Sequence, residues 1–398
     1  MPDPTLGLEP AAPTTPHWLD DDIAAWNAAG LKRRRRRIES PSGAHLRHQG
    51  RELVNFASND YLNLAGDPRL ARAAAHAARK YGTGAGASAL LAGYLPPLQR
   101  LERALARWQG TEAALVTSSG FAANLGTLTA LAGPDDALFS DALNHASLID
   151  GCRLSRAETF VYRHADLGHL DGLLRRAAGA RRRLIITDSV FSMDGDLAPL
   201  DGLVELARRH DAVLIVDEAH ATGVFGEAGR GLASACPKQE GDRLIKIGTL
   251  SKALGAQGGF VCASRKVIDW LINRARPYVF STALAPPAAA AAHRALQIVI
   301  AEPEHRQRVL ELADLLRRRL QQAGFPVTSS SCQIVPVLVG EPRRAVRLSK
   351  RLEAAGLLVP AIRPPTVPKG TSRLRISLSA GHTADDIDRL VQALVAEE

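Results

Sequence analysis

Cysteine is scarce. Cys152, Cys236, Cys262 and Cys332 are the only thiols in 398 residues, and no two form a C-x-x-C pair. Their spacing indicates neither a disulfide framework nor a zinc site, and no metal is expected. A Gly-Lys dipeptide is absent, so the phosphate loop G-x-x-x-x-G-K-[ST] of nucleotide-driven motors is absent too. The first residues, Met1-Pro-Asp-Pro-Thr, have neither the basic start nor the apolar core of a secretory signal. The most apolar long stretch, Ala283 to Ala301, contains Pro286, Pro287, His293 and Arg294. It reads as an alanine-rich buried helix, not a membrane span. The expectation is a cytoplasmic protein with no membrane attachment.

What is present fits a soluble α/β protein. Hydrophobic residues make up 46% and charged residues 23% of the chain, and the length suffices for one large and one small domain. The net charge of +9 is concentrated in arginine clusters, foremost Lys32 to Arg37, then Arg175–Arg176, Arg181–Arg183 and Arg317–Arg319. Such a surplus favours acidic partners without naming one. Residues 1–17, rich in Pro, Thr and Gly, are expected to be disordered, and Leu19 to Gly30 to form a short amphipathic helix. The expected division is an N-terminal extension over 1–61, a large domain over 62–300 and a small α+β domain over 301–398.

Between about Ala113 and Ala263 short apolar runs alternate with helical segments. The expected strands are Ala113–Thr117, Ala137–Phe139, Thr159–Tyr162, Leu184–Thr187, Val213–Val216, Leu244–Ile247 and Phe260–Cys262. They predict a mostly parallel seven-stranded sheet covered on both faces. Ligands bind such sheets at the strands' carboxyl ends, and here those ends are crowded with polar groups. Ser118-Ser-Gly-Phe-Ala-Ala-Asn124 opens a helix whose free N–H groups suit a phosphate. His145 follows the second strand, Ser192 the fourth and Asp217-Glu-Ala-His220 the fifth, and the sixth ends in Thr249 and Lys252. Further on, Leu374-Arg-Ile-Ser-Leu-Ser alternates as a half-buried strand.

Lys252 lies among small residues where a strand meets a glycine-rich turn, the setting of a Schiff-base lysine. A pyridoxal 5'-phosphate (PLP) bound there needs an anion for its ring nitrogen, a phosphate cradle, a partner for its phenolic oxygen and a flat group over its ring. Asp217 suits the first, Gly120, Phe121 and Thr249 the second, His220 the third and His145 the fourth. Asp217-Glu-Ala-His220 also spells a helicase box, but a nucleic-acid-dependent ATPase needs the missing phosphate loop.

From about residue 31 onward the chain resembles the α-oxoamine synthases, PLP enzymes of the aspartate-aminotransferase fold. The resemblance rests on Ser58-Asn-Asp-Tyr-Leu, Ser119-Gly-Phe-Ala-Ala-Asn, His145-Ala-Ser, Val190-Phe-Ser-Met-Asp-Gly-Asp, Val216-Asp-Glu-Ala-His-Ala-Thr-Gly and Thr249-Leu-Ser-Lys-Ala. The stretch from Ala361 to Arg375 is most similar to the branch serving biotin biosynthesis. That resemblance implies decarboxylative condensation of L-alanine with a pimeloyl thioester, carried on coenzyme A or acyl carrier protein. The alternative within the family is a glycine-using synthase, of the glycine C-acetyltransferase or 5-aminolevulinate synthase kind. The resemblance further implies catalytic roles for Lys252, His145 and Asp217, and cofactor contacts from Gly120, Phe121, Ser192, His220 and Thr249. Substrate contacts are implied for Asn59, His145, Arg363, Thr366 and an arginine of the basic run, Arg33 by ungapped count. Arg363 is expected to hold the alanine carboxylate. A homodimer with shared sites, Ser281 and Thr282 reaching the partner's cofactor, and no nucleic-acid partner complete the expectation.

Overall fold

A computed structural model describes residues 16–28, 31–33, 35–236, 243–326 and 330–396. The expectation of disorder at the N-terminus falls, up to residue 15, outside the described residues. The chain runs α1 (His17–Ala28), β1 (His45–His48), β2 (Arg51–Asn55), α2 (Pro68–Tyr81) and α3 (Pro96–Gln109). There follow β3 (Ala113–Thr117), α4 (Gly120–Leu131), β4 (Ala137–Asp141), α5 (Ala146–Ser155), β5 (Glu158–Tyr162), α6 (Leu167–Arg176) and β6 (Arg183–Asp188). Next come α7 (Leu200–Arg209), β7 (Val213–Asp217), β8 (Leu244–Thr249), β9 (Gly259–Ala263), α8 (Arg265–Arg274), α9 (Arg276–Val279) and α10 (Pro286–Ala301). The C-terminal part comprises α11 (Glu304–Gln322), β10 (Ile334–Gly340), α12 (Pro342–Ala354), β11 (Leu357–Leu358), β12 (Ala361–Ile362), β13 (Ser372–Ser377) and α13 (Ala384–Val395). Among the described residues no helix is long and apolar enough to cross a membrane.

Seven strands form one sheet in the order β3-β9-β8-β7-β6-β4-β5. Only β9 runs against its neighbours. The expected strands are all present, β3 with its expected bounds and the others extended by one or two residues. Their unbroken apolar character follows from burial on two faces. Leu138, Leu184, Ile186, Ile215 and Ile247 pack with α4, α5 and α8, while the alternate residues Phe139, Ile185, Leu214 and Val216 pack with α6 and α7. Edge strand β5 is the exception, with Val161 58% exposed.

Smaller sheets complete the fold. In the C-terminal part β10, β13 and β12 form an antiparallel sheet. The hairpin β1–β2 adds β11 in parallel, with Leu357 beside Val54 and Leu358 beside Asn55. Residues of the expected N-terminal extension therefore share a sheet with the C-terminal segment. Two- and four-residue strands are too short to show a period in sequence.

The C-terminal part is seated on the loops after β6 and β7. Ser331 N donates to Gly195 O at 3.1 Å and Gln333 Nε2 to His220 O at 2.7 Å. Gly195 has φ +74°, and a Cβ there would collide with Ile334 O. Both left-handed geometry and close approach demand glycine at this position. Gly195→Ala is expected to lower stability by about 2 kcal/mol or more, measurable as a lower urea midpoint.

Candidate active site

Strand β8 delivers Lys252 into a turn closed by backbone bonds, Gly255 N to Lys252 O at 2.9 Å and Leu250 N to Gly258 O at 2.9 Å. Its Nζ lies 2.8 Å from His220 Nε2. Burial is the main force lowering the lysine pKa, to about 8; Asp217 and Asp188 oppose it and Arg375 adds to it. On the other side of His220, Nδ1 is 2.6 Å from the hydroxyl of Tyr61, which is 3.1 Å from Asn59 Oδ1. Both terminal nitrogens of Arg375 donate to that same Asn59 oxygen at 3.3 Å. A continuous polar chain thus runs from Arg375 through Asn59, Tyr61 and His220 to Lys252. Burial, reinforced by Lys252 and Arg375, holds His220 well below the ordinary histidine pKa, so its ring is neutral.

Asp217 ends β7 and is 5% exposed. Its carboxylate accepts from Asn124 Nδ2 at 2.6 Å and Ala219 N at 2.7 Å. Hydrogen bonds to a charged acceptor contribute about 1.5–3 kcal/mol each, enough to fix its direction. Asn124 also donates to Ser147 Oγ at 2.8 Å, and Ser147 Oγ is 2.7 Å from His145 Nδ1. His145 caps α5, its backbone N donating to Asp188 Oδ2 at 2.7 Å. The protein around its ring lowers the histidine pKa, Asp217 opposing and Lys252 reinforcing.

The start of α4 forms the cradle. Ser119 accepts from Ala122 N at 3.1 Å, leaving the N–H groups of Gly120 and Phe121 without intrahelical acceptors. Thr249 packs on Gly120, where a Cβ would come 3.3 Å from the threonine Cβ. A Cβ on Gly259 would run into Ser119 O and Gly120 N, so β9 reaches the helix start only as glycine. The Thr249 and Ser251 hydroxyls, 2.8 Å apart, flank this cradle. Free N–H groups and hydroxyls at a helix N-terminus fit a phosphate. The buried carboxylate of Asp217 and the neutral His220 fit a pyridine ring. The residues present therefore suit PLP.

Lys252, His220, Asp217, His145, Thr249, Gly120 and Asn59 are thus brought together, and Ser192 joins through its carbonyl, which accepts from Arg375 Nε at 2.5 Å. Phe121 offers its backbone, its side chain being 44% exposed. Arg363 is half-buried in the turn after β12, while Thr366 and Arg33 are exposed. The hydrogen-bonded chain reaching Lys252 begins from Arg375 instead. The sequence reading gave β13 a solvent face, but all six of its residues are buried, Arg375 at 6% exposure. Its arginines turn toward loop 190–197. Asn124 and Tyr61 were also passed over; a lone asparagine in the apolar helix α4, one turn beyond the cradle, was the available signal for the first.

Comparison with known proteins agrees with this geometry. Residues 51–394 match the family model for aminotransferase class I and II. The chain is 51% identical to 8-amino-7-oxononanoate synthase of Anaeromyxobacter dehalogenans (strain 2CP-1 / ATCC BAA-258), covering 95% of each. It is 50% identical to the synthase of Geobacter sulfurreducens (strain ATCC 51573 / DSM 12127 / PCA), over 92% of this chain and 94% of that one. The chain belongs to the 8-amino-7-oxononanoate synthase family. Among solved structures, a lysine-to-alanine variant of serine palmitoyltransferase from S. paucimobilis, with a bound PLP–myriocin aldimine, superposes with TM-score 0.90 at 31% identity, covering 96% of each chain. The Francisella tularensis 8-amino-7-oxononanoate synthase gives 0.75 at 29% identity, over 87% of this chain and 97% of that one. Membership in this family leaves no role for the helicase reading of Asp217-Glu-Ala-His220.

A lysine pKa near 8 places the neutral, nucleophilic amine in the accessible range. When PLP is added to cofactor-free protein, the rate at which its visible band shifts should rise with pH about a midpoint near 8. A midpoint near the ordinary lysine value would contradict the desolvated setting of Lys252.

Proposed function

We propose that the chain condenses L-alanine with a pimeloyl thioester to give 8-amino-7-oxononanoate, carbon dioxide and the free carrier thiol, with PLP held at Lys252. The observation that carries this reading is the meeting of Lys252, His220 and Asp217 at one sheet edge in a chain half-identical to such synthases. When bound, the cofactor supplies an electron sink for negative charge at the substrate Cα.

The chain's own residues supply the rest. Asp217, aimed by Asn124 and Ala219 N, would keep a proton on the cofactor's ring nitrogen. His220, backed at Nδ1 by Tyr61, would offer its Nε2 as the partner of the cofactor's phenolic oxygen. His145, held by Ser147 and Asp188, would cover the ring face of the bound cofactor and shield it from water. Lys252 would take the Cα proton at Nζ, a task suited to an amine with a pKa of about 8. Arg375 holds the amino-acid carboxylate. Three acceptors orient it (Ser192 O, Asn59 Oδ1 and Ser377 Oγ), and its charge is felt at Lys252. Arg363 and Thr366, in the turn after β12, and Arg33 in the basic run serve the acyl donor. The protein works as a homodimer: Leu91 and Phe280, 82% and 71% exposed, flank a contact between Ala87 and Ala283, and a second copy would cover them.

Acetyl, succinyl, pimeloyl and palmitoyl thioesters crossed with glycine, alanine and serine, followed by thiol release, test the reaction. Pimeloyl with alanine should lead the panel; preferred turnover of acetyl or succinyl with glycine would reassign the substrates. Arg375→Ala should raise KM for alanine about tenfold or more while leaving the thioester KM nearly unchanged. An unaltered alanine KM would remove Arg375 from the carboxylate subsite.

A further inference from the structure

His164 sits just beyond β5, between two loops that carry active-site residues. Its Nδ1 is 2.9 Å from Asp141 Oδ1 and its Nε2 is 2.7 Å from Asp196 Oδ2. Both ring nitrogens face carboxylates, so both donate and the ring is an imidazolium. Burial works against that charge, but the hydrogen bonds to Asp141 and Asp196 prevail, raising its pKa to about 10. The ring meets Phe191 edge-on, centroids 4.4 Å apart and planes at 86°.

The two carboxylates depend on His164 unequally. Asp141 also accepts from Leu143 N at 2.8 Å and Ala165 N at 2.9 Å, so its loop, which leads to His145, stays anchored without the histidine. Asp196 has no such reserve: its Oδ1 is buried without a hydrogen-bond partner, and its Oδ2 meets His164. Asp196 closes a tight loop, its carbonyl accepting from Phe191 N at 3.0 Å while Gly195 N donates to Phe191 O at 2.8 Å. That loop presents Ser192 O to Arg375. On its far side Arg373 pairs with Asp194 and donates to Met193 O at 3.2 Å.

We propose that His164 is a positioning residue for the amino-acid subsite: by bridging Asp141 and Asp196 it fixes loop 190–197, so that Ser192 O aims Arg375 toward Lys252. This rests on the reading of Arg375 as the carboxylate-holding group. His164 touches neither substrate nor cofactor and acts through the loop alone. Its loss should therefore weaken amino-acid binding, whereas a merely structural role would lower stability or the active fraction.

The test uses PLP-loaded protein with His164→Gln, Asp196→Asn and the double variant. Measured for each are the alanine dissociation constant from the visible band, KM and kcat, and hydrogen exchange across residues 190–197. Each single variant should raise the alanine dissociation constant and KM about fivefold or more, with kcat and the thioester KM within about twofold. The double variant should add nothing further, because both singles disrupt the same His164–Asp196 contact and Asp141 keeps its backbone donors, and exchange across 190–197 should quicken in all three. Should His164→Gln fail to fold, Asp196→Asn removes the same contact from the other side. An unchanged alanine constant in the folded single variants overturns the proposal, as does an equal rise in thioester KM or a multiplied effect in the double variant. No alanine response in the unaltered protein would overturn the functional reading, and this proposal with it.

Discussion

An uncharged amine at Lys252 requires desolvation, and the surroundings of this side chain are arranged around that requirement. Burial disfavours the ammonium form, while two carboxylates at adjacent strand ends, Asp188 and Asp217, pull the other way. The balance leaves the pKa about 8, low enough for the amine to be nucleophilic and high enough for it to accept a carbon-bound proton afterwards. Neutral His220 is part of the same balance, since a second cation 2.8 Å away would press further against the ammonium. Asp188 lies deeper still, and burial together with Asp217 drives its own pKa well above the carboxylate range. Asp217, by contrast, has Asn124 Nδ2 on one oxygen and Ala219 N on the other.

This arrangement works only if several distant segments stay in register. Helix α4 contributes twice, offering free N–H groups at its start and Asn124 one turn later, so cradle and carboxylate cannot drift apart. Glycine at 259 lets β9 lie against that start, and glycine at 195 lets the C-terminal part close over loop 190–197. Loop 190–197 is in turn gripped from β13 by Arg373 and Arg375 and from β5 by His164. Buried arginines are tolerated there because carbonyl and carboxylate oxygens meet their donors.

The sheet was readable in advance because its strands are apolar on both faces and bounded by glycine and polar turns. The polar strand ends were readable for a related reason. A buried parallel strand has few places to put Asp, His or Lys except where it meets its ligand, which singled out Asp217, His145, Thr249 and Lys252. Strand β13 misled for an equally physical reason. Alternation of Arg with Leu and Ile is what a half-solvated strand looks like, and nothing local says that the polar face will meet a second loop. The pairing of β2 with β11 was hidden by the two-residue length of β11.

Local pattern, by itself, determined the α/β architecture, the succession of strands and helices along the chain and the chemistry offered at the large sheet's carboxyl edge. These depend on periodicity and on turn residues only a few positions apart. Tertiary structure alone decided that Arg375 belongs to the polar chain ending at Lys252, that Tyr61 and Asn124 orient His220 and Asp217, and that His164 braces a loop beginning some 25 residues later in the chain. Each of those contacts joins segments far apart in sequence: helix α4 and the loops at the carboxyl edge of the sheet bring together Asn124 with Asp217 and His164 with Asp196, and the packing of the C-terminal part adds Arg375.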